Sequence, residues 1–414
     1  MLKRIAVTEL RLGMYLHELC GSWMDQPFWR SSFLLNSPHD LEQIRSSEVT
    51  EAWIDISKGI DVAPGKPSST AQEVEAQAQA SLLSVQAATP PPVRVPYASE
   101  LNRARKLCMR SRDAVVDMFN DARMGKAIEA EAVNGLVGEI YDSVLRNSHA
   151  LITIARLKSA DEYTYMHSVA VCALMIALAR ELALSEDMIR EAGAAGLLHD
   201  IGKMCIPEHI LNKPDRLTDA EFERVRQHPV AGYALLREAG PLSSHVLDVC
   251  LHHHEKFDGS GYPKRLVGEE ISLLARMAAV CDVYDAITSN RPYKSGWDPA
   301  ESIRKMAEWT GHFDTRVFHA FVKSVGIYPI GALVRLSSGR LGVVVEQHEK
   351  SLLTPRVKVF FSARSRMPLA QEIIDLAKLE GEKIVGRECP EEWGFRNLEE
   401  LWLEASAVPS TRMA

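Results

Sequence analysis

The stretch "SVAVCALMIALARELAL", Ser168 to Leu184, most limits what this chain can fold into. Apolar residues fill almost every position until Arg180 and Glu181. A surface helix would show one apolar stripe at the 3.6-residue period, whereas a helix apolar all round must be covered all round. The covering could be lipid, but the charged pair interrupts the run, which falls short of a clean bilayer span. We therefore read it as the buried central helix of a helical bundle, in a chain without a membrane span. The start, "MLKRIAVTEL", lacks the apolar core of a secretory signal.

The surrounding sequence supports a mainly α fold. From residue 98 to 327, "ELNRARKLCMRSRDAVVDMF" and "AVNGLVGEIYDSVL" space apolar residues by three and four. "LALSEDMIREAGAAGLLHDIGK" has a helix start at Ser185, with acidic residues in the first turn. Its repeated Ala and Gly would let neighbouring helices approach closely. "SLLARMAAVCDVYDAITS" is a further apolar helix.

Two other textures flank this region. Residues 1–62 read as a small β-rich domain, with strand character in "RIAVTEL", "GSWMDQPFW" and "AWIDIS". Residues 63–97, rich in Ala, Gln, Ser and Pro, read as a flexible linker with a partly helical middle. Residues 328–414 read as a β-containing extension. "GALVRLSSGRLGVVVEQ" makes a hairpin turning at Ser-Gly-Arg, "RVKVFFS" a further strand, and "LAQEIIDLAKLEG" a helix. At 414 residues the chain exceeds what one core usually serves.

Charge and cysteine use narrow the function. A net charge of −7 gives no general nucleic-acid footprint, so DNA is not an expected partner. The seven cysteines are scattered with no CxxC pair, which points to reduced thiols and a cytoplasmic setting.

The chemistry gathers in the helical region. His167, His199-Asp200, His228, His252-His253-His254 and Asp282 all lie in or at the end of expected helices. Imidazole and carboxylate together suit divalent first-row metals. A lone buried histidine is more often a hydrogen-bonded core residue than a ligand, and Asp is rarely buried unpaired. The set as a whole argues for a metal. Adjacent helix residues point about 100° apart, so His199 and Asp200 cannot chelate one ion like an i, i+4 pair. They can serve two ions with the carboxylate bridging, as in two-metal hydrolases whose ions sit about 3.5–4 Å apart. Spacing alone leaves open which of the three consecutive histidines belong.

"HDIGK", "IPEHILNK", "HHEKFDGSGYP" and "CDVYDAITSNRPYK" occur in order, and from about residue 100 to 325 the chain resembles the HD-GYP family. This is a subgroup of the HD-superfamily metal-dependent phosphohydrolases whose members hydrolyse the bacterial second messenger cyclic di-GMP. The N-terminal unit, with "LRLGMYLHEL", "SWMDQPF" and "AWIDISKG", is similar to a domain of unknown function that often precedes HD-GYP domains.

The resemblance implies a phosphodiesterase that opens cyclic di-GMP to linear pGpG and then cuts on to GMP. Its register puts the His-His pair on His253 and His254, leaving His252 as a neighbour. It implies two divalent ions, iron or manganese before nickel or zinc. The ligands would be His167, His199, Asp200, His228, His253, His254 and Asp282, with Asp200 bridging. Lys203 would reach the scissile phosphate, and Arg291 and Lys294 would hold phosphate or guanine. Taken alone those two would read as a solvated loop. Gly261 and Tyr262 would shape the pocket mouth. Some members bind a third metal through a glutamate one turn before the first histidine, and here that position is Tyr163. The second cut is therefore expected to be slow. A diguanylate cyclase or a second copy of the chain are the implied protein partners. A weakly active or inactive cyclic di-GMP receptor and an HD phosphohydrolase for another nucleotide are the alternatives.

Overall fold

The computed structural model describes residues 1–21, 32–47, 49–84, 97–156, 163–211, 217–238, 242–289, 296–348, 351–379, 381–395 and 397–403, with Val95 and Lys213 besides. The chain begins with strands β1 (Leu2–Ala6), β2 (Tyr15–Leu19) and β3 (Phe33–Leu34), helix α1 (Pro38–Ser46), then β4 (Glu51–Asp55) and β5 (Ser69–Thr70). The strands form one antiparallel sheet in the order β3-β2-β4-β1-β5. Its apolar side, with Ile5, Leu16, Leu35 and Ile54, closes against Ile44 of α1. Ser37 caps α1 by accepting from Asp40 N, and Pro38 needs no hydrogen bond in the first turn. "GSWMDQPFW" lies outside the described residues apart from Gly21.

Much of the segment expected as a linker is ordered. Thr70 and Glu73 form a capping box that starts α2 (Ala71–Leu83). Val74, Ala78 and Leu82, spaced by four, are its buried stripe. Small residues let α2 lie along a helix of the bundle, so the low count of large apolar side chains does not prevent packing.

The bundle follows in chain order: α3 (Tyr97–Arg123), α4 (Ala130–Arg156), α5 (Tyr163–Glu181), α6 (Glu186–Leu198), α7 (Glu208–Leu211), α8 (Asp219–Arg226), α9 (His228–Glu238), α10 (Ser244–His252), α11 (Leu273–Thr288), α12 (Pro299–Glu308) and α13 (Thr315–Val325). Helix α5 is the central one, buried at every position from Met166 to Ala179. No described helix is long and apolar enough to cross a membrane. Ser185 caps α6 as its sequence indicates, accepting from Met188 N. Gly193 and Gly196 let α6 press on α5: a Cβ on Gly193 would lie 2.9 Å from Ile176, and one on Gly196 3.1 Å from the Cys172 backbone. Asn147 breaks α4 with non-helical backbone angles and recaps it, its Oδ1 accepting from His149 N and Ala150 N.

Beyond the bundle, β6 (Leu333–Leu336), β7 (Arg340–His348), β8 (Ser351–Ser362), β9 (Met367–Asp375) and β10 (Ile384–Arg387) form an antiparallel sheet in the order β10-β6-β7-β8-β9. Short helices α14 (Pro390–Trp393) and α15 (Glu399–Leu403) follow. The β6-β7 hairpin turns at Ser-Gly-Arg as the sequence indicates, with Gly339 at φ +81°. The helix expected at "LAQEIIDLAKLEG" is instead strand β9 and the turn after it. Its local preference is helical, but Ile374 pairs with Val357 and Glu372 with Val359. Cross-strand pairing beside β8, with Ile374 buried, outweighs a propensity worth tenths of a kcal/mol per residue.

Candidate metal centre

Five segments of the bundle converge on one buried cluster. His167 lies in α5, His199 is the C-cap of α6, and Asp200 follows it. Lys203 sits in the 3-10 turn Ile201–Cys205. His228 opens α9, His253 caps α10 with His254 next, and Asp282 lies in α11. Two ligand-like groups result: Asp200, His228, His253 and His254 in one, His167, His199 and Asp282 in the other.

Asp200 stands between them. Its Oδ2 lies 3.4 Å from both His167 Nε2 and His199 Nε2. Its Oδ1 lies 3.2 Å from His228 Nε2 and 3.8 Å from His253 Nε2. Asp282 divides likewise, with Oδ1 at 2.9 Å from His167 Nε2 and Oδ2 at 3.7 Å from His254 Nδ1. Each carboxylate therefore offers one oxygen to each side.

The histidine tautomers are set from behind. His199 Nδ1 is 2.8 Å from Gly196 O, His228 Nδ1 2.7 Å from Val225 O, and His253 Nδ1 3.0 Å from Cys250 O. A carbonyl can only accept, so each Nδ1 carries the proton and each Nε2 turns a lone pair inward. His167 Nδ1 meets Asp285 Oδ2 at 2.6 Å, the carboxylate–imidazole pairing that orients metal-binding histidines. His252 turns away, its Nδ1 2.9 Å from Asp248 Oδ1.

The electrostatics suit a cation. Burial, with His199 and His228 beside it, pushes His253 down to about 3, and burial holds His254 well below its usual value, so both are neutral donors. Burial alone would raise Asp200 and Asp282. Lys203 and His199 outweigh it for Asp200, and a hydrogen bond from His167 outweighs it for Asp282, so both stay ionised. Burial would lower His199, but Asp200 and Asp282 raise it. Among the described residues, His199 Nε2, Asp200 Oδ1 and His254 Nε2 are buried without a hydrogen-bond partner. Buried polar atoms rarely stay unsatisfied, and three aimed into one cluster fit a divalent ion.

The Gly-Tyr-Pro turn closes over this cluster. The Tyr262 ring stacks on His254 at 4.8 Å, and the Arg226 guanidinium sits 4.5 Å above Tyr262. A Cβ on Gly261 would come within 2.3 Å of Lys256 N, which explains the glycine. Buried Glu255 anchors the turn by accepting from Lys264 N at 2.6 Å and Leu266 N at 3.1 Å.

The structure thus brings together His167, His199, Asp200, Lys203, His228, His253, His254 and Asp282, with Gly261 and Tyr262 beside them. Arg291 and Lys294 lie outside the described residues. Asp285, Glu255 and Arg226 were missed in the sequence. Asp285 had a signal, standing one helical turn after Asp282 on the same face.

A helical bundle with this cluster defines a metal-binding HD-domain hydrolase, and the pattern of the HD domain family matches residues 149–317. A domain of unknown function, DUF3391, matches residues 2–133. The chain belongs to the family of the cyclic di-GMP phosphodiesterase PA4108 of Pseudomonas aeruginosa, being 60% identical to it over 404 residues, 97% of this chain and 96% of that protein. It is 38% identical to the cyclic di-GMP phosphodiesterase response regulator RpfG of Xanthomonas campestris over 41% of this chain and 47% of that one. The 3'3'-cGAMP-specific phosphodiesterase 1 of Vibrio cholerae is 35% identical over 43% of this chain and 41% of its own length. The match therefore spans less than half of each of these two relatives.

Proposed function

We propose that this chain is a two-metal phosphodiesterase that hydrolyses cyclic di-GMP to linear pGpG. The observation that carries the reading is the division of Asp200, one oxygen toward His167 and His199 and the other toward His228 and His253. The likeness of nearly the whole chain to a cyclic di-GMP phosphodiesterase supports the substrate, where the cGAMP-specific relative matches less than half.

The ligands would be His167, His199 and Asp282 on one side, His228, His253 and His254 on the other, with Asp200 between. Divalent iron or manganese held there supplies Lewis acidity, which acidifies a water and offsets phosphate charge near neutral pH. The protein's own groups do the rest. The backbone carbonyls and Asp285 fix the imidazoles so that no reorganisation is needed at the moment of reaction. Lys203, ion-paired with Asp200, is the most exposed charged member of the cluster at 19%. Its ammonium stabilises the negative charge that grows on the phosphate oxygens. Water's oxygen bonds to phosphorus, one P–O ester bond breaks, and the leaving ribose oxygen takes a proton. Arg291 and Lys294 hold the far phosphate or guanine, and the Gly261–Tyr262 turn walls the mouth. With Tyr163 at the third-metal position, pGpG is cut on to GMP slowly. The setting is cytoplasmic, where none of the seven cysteines needs a disulfide, and a diguanylate cyclase or a second copy is the partner class.

Lys203→Ala tests the assignment of Lys203. Turnover of cyclic di-GMP should fall about 10²–10³-fold, the usual loss for one preorganised charge stabiliser. Metal content should stay at the wild-type level by elemental analysis. Equal loss of metal and activity would make Lys203 a support for Asp200 and not a phosphate ligand.

A further inference from the structure

Helix α12 links three parts of the molecule. With α2 it borders a cleft of about 460 Å³, closed by Trp53 of the N-terminal sheet on one side and by Tyr328 and Arg387 on the other. Most charges there are paired. Arg304 contacts Glu301 and Glu308, and Lys305 Nζ lies 3.1 Å from Glu18 Oε2. Arg387 differs. It is only 17% exposed, yet among the described residues its carboxylate contact is exposed Glu75 at 4.0 Å, the outer limit of an ion pair. Burial lowers its pKa, with Glu301 acting against that. A guanidinium has five donors in a rigid fork and gains most from a close bidentate oxyanion.

The same helix leads to the metal centre. Buried Arg4 of β1 donates from Nη1 to Glu308 O at 2.7 Å, at the end of α12. The next residues bond to the loop that follows His253 and His254: Phe257 N donates to His312 O at 3.1 Å, and Asp258 N to Gly311 O at 2.9 Å. A Cβ on Gly311 would come within 2.9 Å of the Asp258 carboxylate, so the two loops pack without slack. A shift of α12 must therefore be taken up by the loop that carries two candidate ligands.

We infer that the cleft is an effector site for a small oxyanion, a carboxylate or phosphate monoester on an apolar or aromatic body. Arg387 holds the anion, and α12 transmits occupancy to the His253–Asp258 loop. Binding is independent of the proposed reaction, and only the transmission readout rests on it.

Binding is measured by calorimetry on the full chain carrying Asp200→Ala, so that the metal cluster does not compete. GMP probes the phosphate monoester, benzoate the carboxylate, and guanosine the same body without the anion. Saturable binding of GMP or benzoate, absent for guanosine, should weaken at least about tenfold in Arg387→Ala and less in Arg387→Lys. The bound anion should then change wild-type turnover of cyclic di-GMP by about 5-fold or more. That change should vanish in Arg387→Ala, whose basal turnover is unaltered, and in Arg4→Ala, which still binds. No saturable binding of either anion, equal binding of guanosine, or unchanged affinity in Arg387→Ala overturns the site. Binding without a change in turnover, where the unliganded enzyme is active, overturns the transmission.

Discussion

Asp200→Ala is expected to abolish activity and metal binding together. The Asp200 carboxylate lies within 4 Å of His167, His199, His228 and His253. Removing it takes an oxygen from each half of the cluster, so each of the two proposed ions would lose a ligand at once. The loss of several kcal/mol of charge stabilisation corresponds to at least about 10³-fold in turnover. The effect has a readout besides activity. Ligands that bind only the folded state raise its stability by mass action. Adding Fe(II) or Mn(II) should therefore raise the wild-type melting temperature and leave Asp200→Ala unmoved. A variant that keeps the metal-dependent shift would show that the histidines suffice without the bridge.

Gly202→Ala is the second large effect, and it acts through backbone. A Cβ at this position would lie 1.9 Å from His228 O and 2.5 Å from Gly232 N. Both atoms belong to α9, so no side chain can swing aside. Gly232 cannot yield easily either, since its own Cβ position is 2.7 Å from Cys250 Sγ. The methyl group can be accommodated only by moving α9 away, and His228 moves with it from Asp200. Overpacking of this kind costs about 1–3 kcal/mol and sometimes more. A melting temperature lower by roughly 2–6 °C is expected, with loss of the metal-dependent shift. Gly135→Ala in α4 is the control, because nothing lies within 4 Å of its Cβ position. It should be neutral or slightly stabilising.

What the sequence revealed and what it hid have physical reasons. The all-round apolar run of α5, the Ser185 cap and the Ala-Gly face of α6 are local signals, and the structure carries all three. His199, His253 and His254 were legible because each is tied to a motif at a helix end, whereas the roles of His167 and His228 rested on the family pattern. The distinction between His252 and its two neighbours came from the family register, and the structure turns His252 toward Asp248. Strand β9 was hidden because its order comes from β8, which is distant information to a local reading. Helix α2 was underweighted because alanine contributes little to composition-based hydrophobicity while still filling a close helix contact. Glu255 and Arg226 were hidden for another reason. Their work is to hold a loop and a ring, and single charged residues in polar surroundings carry no mark of such contacts in the sequence.

Chromatography of the products distinguishes metal-dependent hydrolysis of cyclic di-GMP at the proposed binuclear centre from binding alone. Anaerobically purified protein is incubated with cyclic di-GMP and Fe(II) or Mn(II), and bound metal is counted in the same sample. pGpG formation that requires the metal, about two ions per chain, and slow appearance of GMP are expected. Cyclic di-GMP that stays bound and intact with either metal would contradict this and make the chain a receptor.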